Sequence, residues 1–337
     1  MIDLRSDTVT RPTAPMIEAM MHAKVGDDVF GEDPTVKELE EYAAHLLGAD
    51  DAIYCPSGTM TNQIGVHVLS SPYEEVICYS HAHIYKYEGG GVAGTSGLSF
   101  RLIDGDRGRL SPDDIHANIN PDDVHYPRTT LVALENTVNK GGGCYYTLEQ
   151  MQAIATAAQQ HSLNMHLDGA RLFNALVETG DSPSEYGKYF DTISICLSKG
   201  LGAPVGSLLV GKAEYIKKAR RVRKFLGGGM RQAGYIAAAG LYALRNHTDR
   251  LKDDHSKAKK LGKALAGSGL ASEVYPVETN IVIFKTPAHS TPQTVLEKLQ
   301  EHNVLGVPFG AAEVRLVTHL DVSDEEIEKA CNIITTL

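Results

Sequence analysis

The chain has 337 residues, with 32 Lys and Arg against 42 Asp and Glu, a formal net charge of −10. A hydrophobic content of 42% and a charged content of 22% are those of a globular protein long enough to fold without disulfide or metal staples. The acidic balance offers nucleic acid and anionic membranes no global positive field, and no apolar run approaches the ~18 residues a membrane span needs.

The start, MIDLRSDTVTRPT, lacks the apolar core of a signal peptide. Five widely spaced cysteines without a CxxC read as reduced thiols of a cytoplasmic protein. Short apolar runs at 52–55, 76–79, 131–134, 164–167 and 192–196 read as buried strands, continuous rather than alternating. Helix signals separate them. Ser111-Pro112-Asp113-Asp114 opens one helix, and Thr147 with Gln150 forms a capping-box pattern ahead of another. This alternation predicts an α/β fold with a mostly parallel sheet covered on both faces. A long helical stretch is expected from Met230 to about Leu265. Strand, helix, strand and helix then follow at 280–284, 291–301, 313–317 and 323–337, the last with Ser323 and Glu326 as a capping box. The division this suggests is a large domain of residues 1–245 and a small C-terminal α+β domain of 246–337.

Ligand sites in open α/β sheets lie beyond the carboxyl ends of the strands. The first strand exits into Ser57-Gly58-Thr59 ahead of a helix, which suits a phosphate and equally a plain capped turn. The second exits towards His81 and His83. The fourth exits at Asp168, with Arg171 three residues on, either as a carboxylate-gripping pair or as a salt bridge between the two. The fifth exits at Lys199 among small residues, a candidate Schiff-base amine unless it extends to water. A phosphate cradle, an acid and a lysine at the exits of one sheet are what pyridoxal phosphate (PLP) requires.

Longer motifs carry a resemblance almost end to end: LRSDTVTRPT, GDDVFGEDPTV, PSGTMTNQ, HLDGARLFNA, SICLSKGLGAPVGSLL, GGGMRQAG and RLVTHLDVS. With these the chain resembles the L-threonine aldolases, aspartate-aminotransferase-like PLP enzymes of fold-type I. The resemblance implies cleavage of L-threonine, L-allo-threonine or related β-hydroxy-α-amino acids to glycine and an aldehyde such as acetaldehyde. It implies that Lys199 bonds the cofactor, Asp168 pairs with the pyridine nitrogen, His83 stacks on the ring, and Ser57, Gly58 and Thr59 hold the phosphate. Ser6, Arg171 and Arg315 would bind the substrate carboxylate, with Tyr87 and His125 also lining the substrate site. Lys224 and Arg231 would reach the cofactor or active-site water across a subunit interface of a homotetramer with shared sites. The base for the β-hydroxyl proton would be His83 or, second, His125. The chain departs from the family at Val138, where a His is common, and in the stretch 141–146. Both departures bear on the side-chain range and the threo/erythro preference.

Three other readings compete. Gly89 to Gly94 matches G-x-G-x-x-G but follows no strand, and reads as a flexible loop with its backbone close to other elements. A metal hydrolase could use His81 and His83 with His166 and Asp168. A binding protein of the same fold would have no need of Lys199 and Asp168. Within PLP chemistry, the alternatives are a hydroxymethyltransferase, a β-eliminating lyase and an aryl-serine aldolase.

Overall fold

The computed structural model describes residues 1–337. Seven strands form the central sheet: β1 (Asp51–Cys55), β2 (Glu75–Tyr79), β3 (Ser99–Ile103), β4 (Thr129–Glu135), β5 (Asn164–Gly169), β6 (Thr192–Cys196) and β7 (Ser207–Gly211). Their order is β1-β7-β6-β5-β4-β2-β3, and only β7 runs antiparallel to its neighbours. The five strands expected from apolar runs are present. Sequence reading passed over β3, whose residues are half-exposed at the sheet edge, and β7, whose Ser-Leu-Leu-Val-Gly run follows too closely on β6.

Continuous burial of these strands has a simple cause. Ile77, Val132, Leu134, Leu167 and Ile193 point into a core of 42 buried residues on one face, whereas the alternating Val76, Cys78, Leu131 and Ala133 point into a core of 17 on the other. Helices cover both faces. The capping boxes at Ser111, Thr147 and Ser323 all form.

The long helix expected from Met230 to Leu265 is instead two, Gly234–Asn246 and Leu251–Ala266. His247 caps the first and its Nδ1 meets the carbonyl of Leu201 at 2.8 Å. The break lets each half serve a different core: Leu251 completes the large one, and Ala258, Leu261 and Leu265 enter a separate core of 18 residues. That smaller core lies against an antiparallel sheet ordered Val307–Pro308, Glu313–Val317, Ile281–Lys285, Glu273–Val274. The first residues of the chain join it. Ile2–Asp3 pairs with Val304–Leu305, and Ile2 and Leu4 are buried in the small core. No helix is long and apolar enough to cross a membrane, and all five cysteines are free.

Candidate active site

The carboxyl ends of β4, β5 and β6 bring Glu135, Asp168 and Ser194 into register on one face. Asp168 is buried. It accepts hydrogen bonds from Asn62 Nδ2 at 2.8 Å and from the N–H of Ala170 at 3.1 Å. Asn62 belongs to the helix Gly58–Val68 laid across this face, and its second Nδ2 proton goes to Glu88 Oε1 at 2.8 Å. The same Glu88 oxygen lies 2.9 Å from His83 Nδ1. A continuous path therefore runs from His83 through Glu88 and Asn62 to Asp168. Beneath it, His166 Nε2 faces Asn62 Oδ1 at 3.2 Å and its Nδ1 faces Thr192 Oγ1 at 2.8 Å.

The charges here are tuned by burial first and by neighbours second. Burial pushes Glu88 up, Asp168 adds to that, and the bond from His83 opposes it. Burial also raises Glu135, again with Asp168 adding. For His83, burial disfavours the imidazolium, yet the bond to Glu88 and the charge of Asp168 outweigh it and hold the ring above its ordinary value.

Burial lowers His166 to about 4, against the pull of Asp168. The unfolded chain thus takes up a proton near pH 6.5 that the native protein refuses until about pH 4, so stability falls as pH drops across that window. Urea titrations at pH 7 and pH 4.5 should show a loss smaller by about 2–3 kcal/mol in His166→Gln than in the wild type. Equal losses in the two proteins would mean that His166 is protonated in the native state.

The exit of β1 forms the second wall. Ser57 caps the helix Gly58–Val68 by accepting from the N–H of Met60 at 3.2 Å, which leaves the N–H groups of Gly58 and Thr59 unspent at the positive end of the helix. A Cβ at position 58 would meet Cys196 Sγ at 2.6 Å, so only glycine lets this backbone lie against the end of β6. Lys199, three residues past β6, is half-buried, and its amine has no hydrogen-bond partner.

Two arginines make the third wall. Arg171 is buried and paired with Asp7, not with Asp168. Its Nε and Nη2 donate to the two Asp7 oxygens, each at 2.7 Å. Arg315 donates Nη1 to Asn139 Oδ1 at 3.0 Å and Nη2 to the carbonyl of Arg5 at 3.1 Å, while its buried Nε has no partner. Burial, together with the like charge of Arg171, lowers Arg315 to about 10. Two neighbouring guanidiniums with an unspent donor suit an incoming carboxylate. Ser6, next to both Arg5 and Asp7, accepts from the N–H of Thr8 at 3.2 Å. Tyr87 packs its ring 5.7 Å from that of His83 and is half-exposed.

Ser6, Ser57, Gly58, Thr59, His83, Tyr87, Asp168, Arg171, Lys199 and Arg315 thus lie on the strand-exit side, on three walls tied together by the contacts above. One expected residue, His125, does not. His125 sits on the loop that enters β4, at the end of the sheet opposite Glu135 and Asp168. Its side chain is 82% exposed and bonded to Asp123 at 2.7 Å. Within one protomer it cannot touch a ligand held by Lys199. Lys224 and Arg231 are exposed, Arg231 bonding Asp27 at 2.9 Å beside the exposed Phe30 ring.

Other expectations are corrected. Val138 is fully buried in the large core and bridged to Cys144, so its side chain packs with that core. Gly89 to Gly94 is not a loop throughout, because Gly91–Ser96 is helical; Gly91 does approach closely, since a Cβ there would overlap the Gln63 side chain. The metal reading loses its pairs. His81 points to Ser80 and the Tyr79 ring, and His166 is enclosed by Asn62 and Thr192. The potential ligands that do converge are His83, Glu88 and Asp168, and the amide NH2 of Asn62 lies between the last two, giving one proton to each.

Sequence reading missed Asp7, Asn62, Glu88, Glu135 and Asn139. Glu135 had a signal, a lone acid at the exit of an apolar strand like Asp168. The others are legible only once their partners are in place.

The chain is similar to known proteins over almost its whole length. The family model described as beta-eliminating lyase matches residues 3–288. A low specificity L-threonine aldolase of Escherichia coli (strain K12) is 45% identical over 329 residues, covering 97% of this chain and 96% of that protein. Low-specificity L-threonine aldolase 1 of Arabidopsis thaliana is 40% identical over 333 residues, covering 97% and 93%. Among solved structures, Leishmania major threonine aldolase superposes with a TM-score of 0.85 at 20% identity, covering 100% of this chain and 99% of that one.

Proposed function

The chain belongs to the beta-eliminating lyase family, and within it we infer a PLP-dependent lyase that cleaves the Cα–Cβ bond of L-threonine and related β-hydroxy-α-amino acids, giving glycine and an aldehyde. The observation that carries this reading is the pairing, at the exits of neighbouring strands, of the unpartnered Lys199 amine with the buried Asp168, beside unspent N–H groups at Gly58 and Thr59. PLP, when bound, supplies an electron sink for the pair released from the Cα–Cβ bond.

Each residue has a task suited to its surroundings. Gly58, Thr59 and Ser57 would hold the phosphate with N–H groups and hydroxyls. Asp168, kept in place by Asn62 and Ala170, would keep the pyridine nitrogen protonated. Lys199 would supply the amine that holds the cofactor. Arg315 and the remaining Arg171 nitrogen would take the substrate carboxylate with Ser6, which fixes rotation about the Cα–N bond and aligns the bond to be broken. Glu88 engages His83 Nδ1, so the neutral ring carries its lone pair on Nε2, free to take the β-hydroxyl proton. His83 is therefore the base within this protomer, with Tyr87 beside it.

Residues 1–245 carry the cofactor site in this reading, and 246–337 form a small domain that contributes Arg315. A homotetramer with shared sites would give Lys224, Arg231 and His125 their roles from a second protomer. The exposed Phe30, Phe225, Val124 and Tyr126 on the same surfaces support that arrangement. Reduced cysteines support a cytoplasmic location.

The purified protein should be yellow, lose its visible band on borohydride treatment, and release glycine and acetaldehyde from L-threonine. A colourless protein refractory to added PLP would sink the reading. Arg315→Met should raise KM for L-threonine by about 100-fold with a smaller change in kcat, because the guanidinium that would meet the carboxylate is lost. An unchanged KM would place the carboxylate elsewhere.

A further inference from the structure

Glu135 is a buried carboxylate with no cation bonded to it. Each of its oxygens accepts one backbone N–H from a different loop. Oε2 takes that of His83 at 3.0 Å, and Oε1 takes that of Asn139 at 2.8 Å. The first contact stands in for a missing cap. The helix His83–Lys86 has four residues and its N-cap, Ala82, offers no side-chain acceptor, so no local side chain caps its first N–H. A carboxylate aimed at that N-terminus supplies both the acceptor and the favourable charge. The second contact continues outward, since Asn139 Oδ1 accepts from Arg315 Nη1 at 3.0 Å.

We propose that Glu135 is a positioning residue that ties the cofactor-facing His83 to the carboxylate-gripping Arg315, one oxygen for each arm. The proposal rests on the lyase reading above. It explains why an acid stands where burial and the adjacent Asp168 both disfavour one. Two N–H donors meet the position, one at each oxygen, and an amide side chain has only one acceptor atom. Glu135 acts through the two arms.

The arms can be separated by measuring the visible circular dichroism of bound PLP and the dissociation constant of glycine, titrated spectrophotometrically in the holoenzyme. Asn139→Ala cuts only the Arg315 arm. It should weaken glycine about tenfold and leave both the cofactor dichroism and PLP affinity unchanged, a split that general destabilisation would not produce. Glu135→Ala cuts both and should weaken glycine at least as much while reducing the dichroism. The double variant should be no more than about twofold worse for glycine than Glu135→Ala, since the second change removes a contact already lost. If Glu135→Ala does not fold, Glu135→Gln keeps one acceptor, and either the dichroism or glycine affinity must still move. Glycine affinity within twofold of wild type in Asn139→Ala, multiplying effects in the double variant, or a Glu135→Gln holoenzyme unchanged in both readouts would overturn the proposal. A wild-type protein that acquires no visible band with PLP would instead overturn the lyase reading.

Discussion

Lys199→Ala is expected to lower kcat for L-threonine cleavage by about four orders of magnitude while leaving the fold and the phosphate cradle intact. Lys199 is half-buried, its amine bonds to no other group, and its carbonyl is fixed by Thr10 Oγ1 at 3.0 Å, so removing the side chain vacates space without breaking a contact. The charge of Lys199 reaches both Asp7 and His83. The variant should therefore still bind PLP, reversibly and without a borohydride-trapped bond, and its melting temperature should stay within a few degrees of wild type. Steady-state rates together with reductive trapping check both halves. Wild-type turnover in Lys199→Ala would disprove the assignment outright.

Asp7→Ala should be among the most destabilising single changes, costing about 3–5 kcal/mol, because it strands the buried Arg171 guanidinium without a counter-charge. Asn280 also donates to Asp7, at 3.3 Å, and would lose an acceptor. Burial alone would push the Asp7 carboxyl up, but the charge and hydrogen bonds of Arg171, with the charge of Lys199, hold it well below the usual carboxylate range. The sign of the linkage follows. Asp7 contributes its stability at all pH above the unfolded carboxylate value near 4, and that stability is lost only as pH falls below it. Urea unfolding of the two proteins near neutral pH measures the cost. A difference under about 1 kcal/mol would mean that Arg171 finds another partner or water. An Arg171 freed from Asp7 would also lose its orientation, so KM should rise in whatever fraction remains folded.

The site divides into residues readable from their neighbours along the chain and residues that are not. Asp168 and Lys199 were legible because a polar group ending an apolar strand is placed by the strand itself, and in a parallel sheet all such ends face one crevice. Ser57 and Gly58 were legible through helix-capping chemistry that spans only a few residues. His125 illustrates the same logic neglected. It precedes the strand Thr129–Glu135, so chain order alone sends it to the far end of the sheet, and resemblance placed it at the site without regard to protomer. Val138 was misjudged for the complementary reason. It stands three residues past Glu135, but the chain has turned by then and directs the side chain into the core.

The fold class and the cofactor set were in the amino-acid sequence, because periodicity, capping and strand exits depend on contacts between residues close in the chain. So was the contrast between a net charge of −10 and a site that gathers Lys199, Arg171 and Arg315. Tertiary structure alone decided which charge pairs with which. Arg171 chose Asp7, 164 residues away, over Asp168, three residues away, and Arg315 found Asn139 across 176 residues. Sequence distance carries no information about such pairs. Arg171 takes the partner that can meet it with two well-aligned bonds, and that geometry exists only once both cores have closed.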